Sequence, residues 1–288
     1  MYAITGVTGH TGSVVAETLL AQGKQVRVVV RDAAKGARWR ARGTQVAIAD
    51  LGDADALTRA FAGTQGAYVL LPPRPASTDP LSTNAKLAAT IANAVRASGV
   101  PHVVLLSSLG AQHADGTGPI RALHAAEREL AATGAGFTAI RAAYFQENWG
   151  ASLGTLASGA IYSFLPTDLS FPQVSTIDIG RAAAAALVED ASRGETRVIE
   201  LTGPREVSGE DIARALTKLT GKPVTVQAAP LDAVVPTFMS FGFSVQVAEL
   251  FRELYEGIIS GRVAQEGGKA RALRGSIGIE ETLAKLLS

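Results

Sequence analysis

Apolar and polar positions along the first half of the chain fall into a repeating beat: a short run of apolar, often β-branched residues, then a longer alanine-rich stretch with apolar residues at helical spacing. The runs Tyr2–Ile4, Val26–Val30, Gln45–Ala49, Ala67–Leu71, His102–Leu106 and Phe137–Ile140 predict strands, with helices between them. Such alternation predicts an α/β fold, a Rossmann-type doubly wound parallel sheet with right-handed crossovers and helices on both faces. A ligand then belongs at the carboxyl ends of the strands, where the loops Gly6–Gly12, Arg31–Asp32, Asp50–Leu51, Pro72–Pro75, Ser107–Gly110 and Ala142–Asn148 gather.

Beyond about residue 150 the beat loosens, broken by Gly154, Gly159, Pro166 and Pro172 before a helix near Ile179–Val188 and a strand near Arg197–Leu201. The expected division is a dinucleotide-binding domain over 1–150 and a smaller C-terminal substrate lobe over 151–288, interleaved with the sheet. Ser208 reads as the cap of a helix, with Asp211 in place of the usual glutamate, and Gly221-Lys-Pro reads as its end. The segment Phe238–Ile259 carries Phe238, Met239, Phe241, Phe243, Phe251 and Tyr255. Core packing is favoured for it over a substrate-pocket wall.

Chemistry enters at the first junction, Thr5-Gly-Val-Thr-Gly-His-Thr-Gly12, a strand passing into a helix through three glycines. Gly6 would supply the tight turn, Gly9 would let the backbone approach a pyrophosphate, and Gly12 would let the helix pack against the sheet, with its N-terminal N–H groups facing the anion. The next strand ends at Arg31-Asp32, where an adenine ribose should arrive. A carboxylate there commonly bonds the ribose hydroxyls of NAD, whereas an arginine pairs with a 2′-phosphate, so Arg31 ranks NADP(H) ahead of NAD(H). Lys35 and Arg38 either add charge there or are ordinary surface cations of a solvated helix.

Composition narrows the classes. The chain has 288 residues, 47% hydrophobic, 18% charged and a formal net charge of +1, which gives no electrostatic case for nucleic acid or an anionic membrane. The basic stretch from Lys35 to Arg42 is short and interrupted, and reads as a solvated helix. The absence of cysteine excludes disulfides and thiolate chemistry, and makes the cytoplasm the expected location. No secretory pattern opens the sequence, no apolar run reaches membrane-spanning length, and the four histidines lack metal-ligand spacing, so no metal is expected. The expected partner is a small-molecule substrate; a homodimer remains open.

The chain resembles the NmrA-like branch of the atypical short-chain dehydrogenase/reductase superfamily, particularly its NAD(P)H-dependent quinone reductases. The likeness is carried by the glycine segment, Val30-Arg31-Asp32, Val104-Leu-Leu-Ser-Ser108, Arg141-Ala-Ala-Tyr-Phe-Gln-Glu-Asn148, Leu201-Thr-Gly-Pro204 and Gly221-Lys-Pro-Val. It implies that Gly6, Thr8, Gly9, His10, Thr11, Gly12 and Arg31 hold cofactor phosphates. It also implies that Asp50 and Leu51 flank the adenine, and that Leu71, Pro72, Ser107, Ala143, Tyr144 and Phe145 border the nicotinamide half.

The superfamily's usual catalytic pair, a tyrosine followed four residues later by a lysine, is absent. No tyrosine or lysine lies between Ser107 and Arg141, and no tyrosine of the chain has a lysine four positions on. Many NmrA-like proteins keep a lysine about a turn before a glutamate resembling Glu127; Leu123 stands at that place, with His124 the nearest polar residue. His124, Tyr144 and Asn148 are therefore the candidate catalytic groups, although one residue along a helix turns a side chain by about 100° and His124 can face away. Two functions remain open: an NADPH-dependent reductase of a quinone-like or conjugated carbonyl acceptor, and a non-catalytic NADP(H)-binding redox sensor.

Overall fold

The computed structural model describes residues 1–189 and 191–288. Its centre is an eight-stranded parallel sheet in the order β13-β10-β6-β5-β4-β1-β2-β3. These strands are β1 (Tyr2–Ile4), β2 (Val26–Val30), β3 (Gln45–Ile48), β4 (Gly66–Val69), β5 (His102–Ser108), β6 (Gly136–Ala142), β10 (Thr196–Thr202) and β13 (Arg271–Arg274). The remaining strands are short: β7 (Tyr144–Phe145), β8 (Ala160–Ser163), β9 (Phe171–Val174), β11 (Glu206–Val207) and β12 (Thr225–Ala228). The helices are α1 (His10–Ala21), α2 (Ala33–Arg40), α3 (Ala54–Phe61), α4 (Pro80–Ser98), α5 (Arg121–Ala131), α6 (Thr176–Val188), α7 (Gly209–Thr220), α8 (Val234–Ser240), α9 (Val245–Ile259) and α10 (Ile279–Leu287).

Chain order reverses between β1 and β4, which opens a crevice at their carboxyl ends. One apolar layer, with Ile4, Val28, Ile140 and Leu201, packs under α1 and α6; the other, with Val69, Leu105, Phe137 and Ala139, packs under α3, α4 and α5. α1 and α6 approach closely because position 180 is glycine: a Cβ there would lie 2.5 Å from that of Val14. Local signals set the helix ends. Asp79 accepts from Ser82 N–H and Pro80 opens α4, while Gly99 closes it at φ +66°.

Several strand boundaries move from their predicted places. The run ending at Leu71 leaves the sheet after Val69, ahead of Pro72-Pro73, because prolines offer no N–H to a ladder and push their predecessors out of register. The strand predicted to stop at Leu106 continues through Ser107 and Ser108, which pair with Arg141 and Ala142; hydrophobicity ends there but the ladder does not. The expected loop from Ala142 to Asn148 instead contains the end of β6, all of β7 and the start of 3₁₀ turns over Gln146–Ser158.

The later elements form two smaller clusters, one around Trp149, Ile161, Ile212 and Leu283, the other around Ala111, Leu165, Phe171 and Leu254. The chain returns from them to the main sheet at β10 and again at β13. Asp178, buried on α6, fixes that return by accepting the N–H groups of Ser276 at 2.9 Å and Ile277 at 2.8 Å.

α7 opens with a reciprocal cap: Asp211 N–H donates to Ser208 Oγ, and Ser208 N–H to Asp211 Oδ2. Burial alone would raise the Asp211 carboxyl, but the Ser208 N–H, Arg214 and Arg205 outweigh it and hold the pKa at about 2. A carboxyl depressed in the folded state contributes its full stability above its unfolded value and loses it as pH falls toward its folded one. Asp211→Asn should therefore flatten the loss of stability between about pH 4 and pH 2, measured by urea unfolding across that range. An unchanged acid slope would contradict the cap's electrostatic role.

Candidate functional site

At the crevice, Gly6 sits at φ +66°, a left-handed turn that favours glycine. Gly12 is constrained by closeness: a Cβ there would lie 2.5 Å from the Gly6 carbonyl carbon and oxygen, so only glycine lets α1 rest on the loop. Gly9 precedes α1, and no side chain caps that helix. Its N-terminal dipole faces the crevice beside the exposed Thr8, Gly9 and His10, a setting that suits an anion. Thr11 is buried and its Oγ1 accepts from Tyr68 Oη at 3.0 Å, so its hydroxyl braces α1 on β4 and its backbone is what faces the loop.

Arg31 stands exposed just past β2 and makes no ion pair among the described residues. Asp32 is turned away to cap α2, accepting from Ala34 N–H at 2.7 Å. Arg31 is thus a cation at the carboxyl end of β2 that its neighbouring acid leaves free. Arg38, read either way from sequence, is not purely a surface cation: its Nη2 donates to the Val7 carbonyl of the glycine loop at 2.8 Å, and its guanidinium lies 5.1 Å from the ring of Trp39, which is buried. Lys35, Arg38, Arg40 and Arg42 are all exposed, in keeping with a solvated stretch, with Trp39 buried beneath them.

Past β3, exposed Asp50 accepts the Gly52 N–H at 2.8 Å, while Leu51 packs against the α3–α5 layer. Leu71 joins the same layer and Pro72 is half-buried. Ala143 is buried, and its N–H donates to the Leu201 carbonyl at 2.9 Å, fastening the start of β7 to β10. Phe145 packs on the α1–α6 layer.

Ser107, Glu127 and Arg141 form one buried network. Ser107 Oγ donates to Glu127 Oε1 at 2.5 Å, and Arg141 grips both carboxylate oxygens through Nε at 3.0 Å and Nη2 at 2.7 Å. Arg141 Nη1 also reaches Glu266 at 2.6 Å, and buried Glu200 accepts the N–H groups of Glu266 and Gly267. Burial alone would lower the Arg141 pKa; Glu127 and Glu266 outweigh it and raise it. The Ser107 hydroxyl is therefore committed to Glu127.

His124 is half-buried with Nδ1 2.8 Å from the Ala111 carbonyl. Leu123, one residue earlier, packs in the cluster that contains Tyr144, Phe171 and Tyr255. Tyr144 is half-buried and Asn148 exposed. Burial raises the Tyr144 pKa against hydrogen bonds with Tyr255 and Asn148 that lower it. The structure thus brings Tyr144 and Asn148 together, adds Tyr255, and keeps His124 on a backbone carbonyl. Tyr255 was visible only as one aromatic among several; nothing in its spacing pairs it with Tyr144.

Cavities of about 400 Å³ beside α7 and β12 and about 420 Å³ along β10 and β13 lie elsewhere and include no cradle residue. No group of acidic and histidine side chains able to hold a metal occurs among the described residues, and no described helix is long and apolar enough to cross a membrane.

Sheet order, glycine cradle and switch-point crevice define a Rossmann-type α/β protein of the dinucleotide-binding architecture. The chain belongs to the NmrA-like family, whose family model matches residues 2–276. It is 29% identical over 266 residues to quinone oxidoreductase 2 of Escherichia coli strain K12, covering 91% of this chain and 89% of that protein. It is 27% identical over 256 residues to NAD(P)H azoreductase of Xenophilus azovorans, covering 88% of this chain and 86% of that one. The crystal structure of the Escherichia coli NADPH-dependent quinone oxidoreductase complexed with NADPH superposes over 100% of both chains, with a TM-score of 0.83 and 26% identity.

The buried network yields a double-mutant test. Arg141→Met alone leaves the Glu127 carboxylate buried without its partner and should cost about 3–5 kcal/mol in urea unfolding. Arg141→Met combined with Glu127→Leu should cost clearly less than the sum of the two single changes. Additive costs would contradict the coupling.

Proposed function

We propose that this chain is an NADPH-dependent oxidoreductase that delivers hydride to a quinone-like or conjugated carbonyl acceptor without the Tyr/Lys pair of its superfamily. The observation that carries the reading is a juxtaposition at one sheet edge: an uncapped glycine cradle with the free Arg31 on one side, and a half-open aromatic wall bearing the Tyr144 hydroxyl on the other. The quinone and azo reductase relatives, one of them crystallised with NADPH, support the cofactor and the reaction class.

When bound, NADPH supplies a hydride, two electrons with one proton. In this reading, the backbone of Gly6, Thr8, Gly9, His10, Thr11 and Gly12 holds the pyrophosphate and Arg31 the 2′-phosphate. Asp50 and Leu51 border the adenine. Leu71, Pro72, Ser107, Ala143 and Phe145 shape the nicotinamide end, the Ser107 backbone held in place by its bond to Glu127. Tyr144, whose pKa lies above the ordinary phenol value, stays protonated and hydrogen-bonds the acceptor oxygen as negative charge develops there. That oxygen needs one further proton from water, and an electron-poor ring takes hydride without a strong protein acid. Asn148 orients the Tyr144 hydroxyl. His124, held through Nδ1 on the Ala111 carbonyl, keeps Nε2 as its atom for proton transfer.

Titration of the purified chain with NADPH and NADH tests the cofactor assignment. Arg31→Ala should weaken NADPH binding about tenfold or more and spare NADH, since a charge-assisted phosphate contact contributes roughly 1.5–3 kcal/mol. Equal loss for both would remove the NADP preference. Addition of a quinone panel should give acceptor-dependent NADPH oxidation. NADPH binding without oxidation across that panel would favour the redox sensor, a reading that Leu123 in the lysine's place also admits.

A further inference from the structure

Tyr144 on β7 and Tyr255 on α9 come from distant parts of the chain, yet their hydroxyls hydrogen-bond each other beyond the carboxyl end of β6. Aromatic rings surround the pair. Tyr144 meets Phe171 edge-on at 5.5 Å, Tyr255 lies 5.3 Å from Phe164, and Phe238 stacks on Phe251 at 4.5 Å. Rings that served only the core would be enclosed, as Trp39, Phe61 and Phe137 are. Tyr144, Tyr255, Phe164, Phe238 and Phe251 are instead half-buried, so this shell keeps one side open around two hydroxyls. The expectation that the aromatic segment is chiefly core packing is modified accordingly.

The rim of the shell is coupled to the cofactor side. Ser244, the cap of α9, donates its hydroxyl to the Ser77 carbonyl at 2.5 Å, and its N–H donates to the Pro75 carbonyl at 2.8 Å. The loop after β4 and the α8–α9 turn therefore share one edge. Met239 and Phe241 stand exposed on that turn, extending the apolar wall outward.

We propose that Tyr255 is a specificity-determining residue of the acceptor site, its hydroxyl bonded to that of Tyr144 so that the pair presents one oriented O–H, a phenolic clamp, to the carbonyl oxygen of an uncharged, flat, conjugated ring compound. This deepens the reductase reading and rests on it. Flatness follows from the walls, since ring faces at these spacings stack on another aromatic plane. Neutrality follows from the surroundings. The polar groups that act on the two phenols are uncharged, namely each other and Asn148, and Leu123 packs where a lysine would bring an ammonium. A carbonyl oxygen needs only hydrogen bonds on leaving water, whereas a carboxylate, sulfonate or phosphate ester would lose its hydration with no cation to replace it. Burial raises both phenol pKa values, so both stay protonated: one O–H is spent within the pair and the other is left to donate.

Calorimetry on the full chain, with and without NADP⁺, using chromone, chromone-2-carboxylate and naphthalene, tests the clamp by binding alone. Chromone should bind wild type, and Tyr255→Phe should weaken it roughly three- to tenfold, the share of one hydrogen bond. Naphthalene and NADPH affinities should be unchanged by that substitution, which removes one oxygen and keeps the ring. Chromone-2-carboxylate should bind about tenfold or more weakly than chromone. The proposal is overturned if wild type does not bind chromone, if Tyr255→Phe binds it as wild type does, or if the carboxylate binds equally well. Failure of NADPH to bind, with the chromone pattern intact, would remove the reductase reading and leave the carbonyl clamp standing.

Discussion

Arg141 holds the working edge of the molecule together. It sits on β6 between Ser107 of β5 and Glu200 of β10, one polar row across three central strands. Its guanidinium takes both oxygens of Glu127 on α5 and reaches Glu266 in the segment leading to β13, while Glu200 secures that segment's backbone. A buried arginine costs several kcal/mol in lost hydration, and its bidentate geometry, with both Glu127 oxygens engaged, is what offsets it. Three strands, one helix and the C-terminal return are thereby fixed relative to one another at the edge from which β7 departs.

The glycine cradle obeys a second, more local constraint. Contact between the Gly6 carbonyl and Gly12 leaves no room for a methyl group, and Tyr68 fastens α1 to β4 through Thr11. Both constraints act on opposite banks of the same crevice. Together they fix the glycine loop relative to the aromatic wall.

Much of this was legible in the sequence, for physical reasons. The parallel sheet declared itself because its strands are buried on both faces and read as continuous apolar runs. The cradle declared itself because the left-handed turn at Gly6 and the close contact at Gly12 both favour glycine. Strand ends were less legible: the β5 ladder continues through polar Ser107 and Ser108 because hydrogen-bonded pairing does not depend on hydrophobicity. The site's second bank was least legible. Glu127, Arg141 and Glu266 meet only after folding, and the Tyr144–Tyr255 contact joins a two-residue strand to a helix far along the chain. Helix phase also explains His124: Leu123 takes the inward position and leaves the imidazole to the Ala111 carbonyl. Arg38 was ambiguous because sequence cannot distinguish a surface cation from one that curls back onto a loop carbonyl.

In the proposed reductase reading, the absence of a Tyr/Lys pair limits the chemistry to acceptors that take hydride readily, and the aromatic shell with its phenolic hydroxyls suits such acceptors. A single-turnover experiment bears on this most directly: the NADPH-loaded chain mixed with an equivalent of menadione in the absence of oxygen, with bound NADPH and hydroquinone both followed. Bound NADPH should disappear with formation of one hydroquinone per NADPH consumed. Bound NADPH that persists at full occupancy in the presence of menadione would contradict the reductase reading.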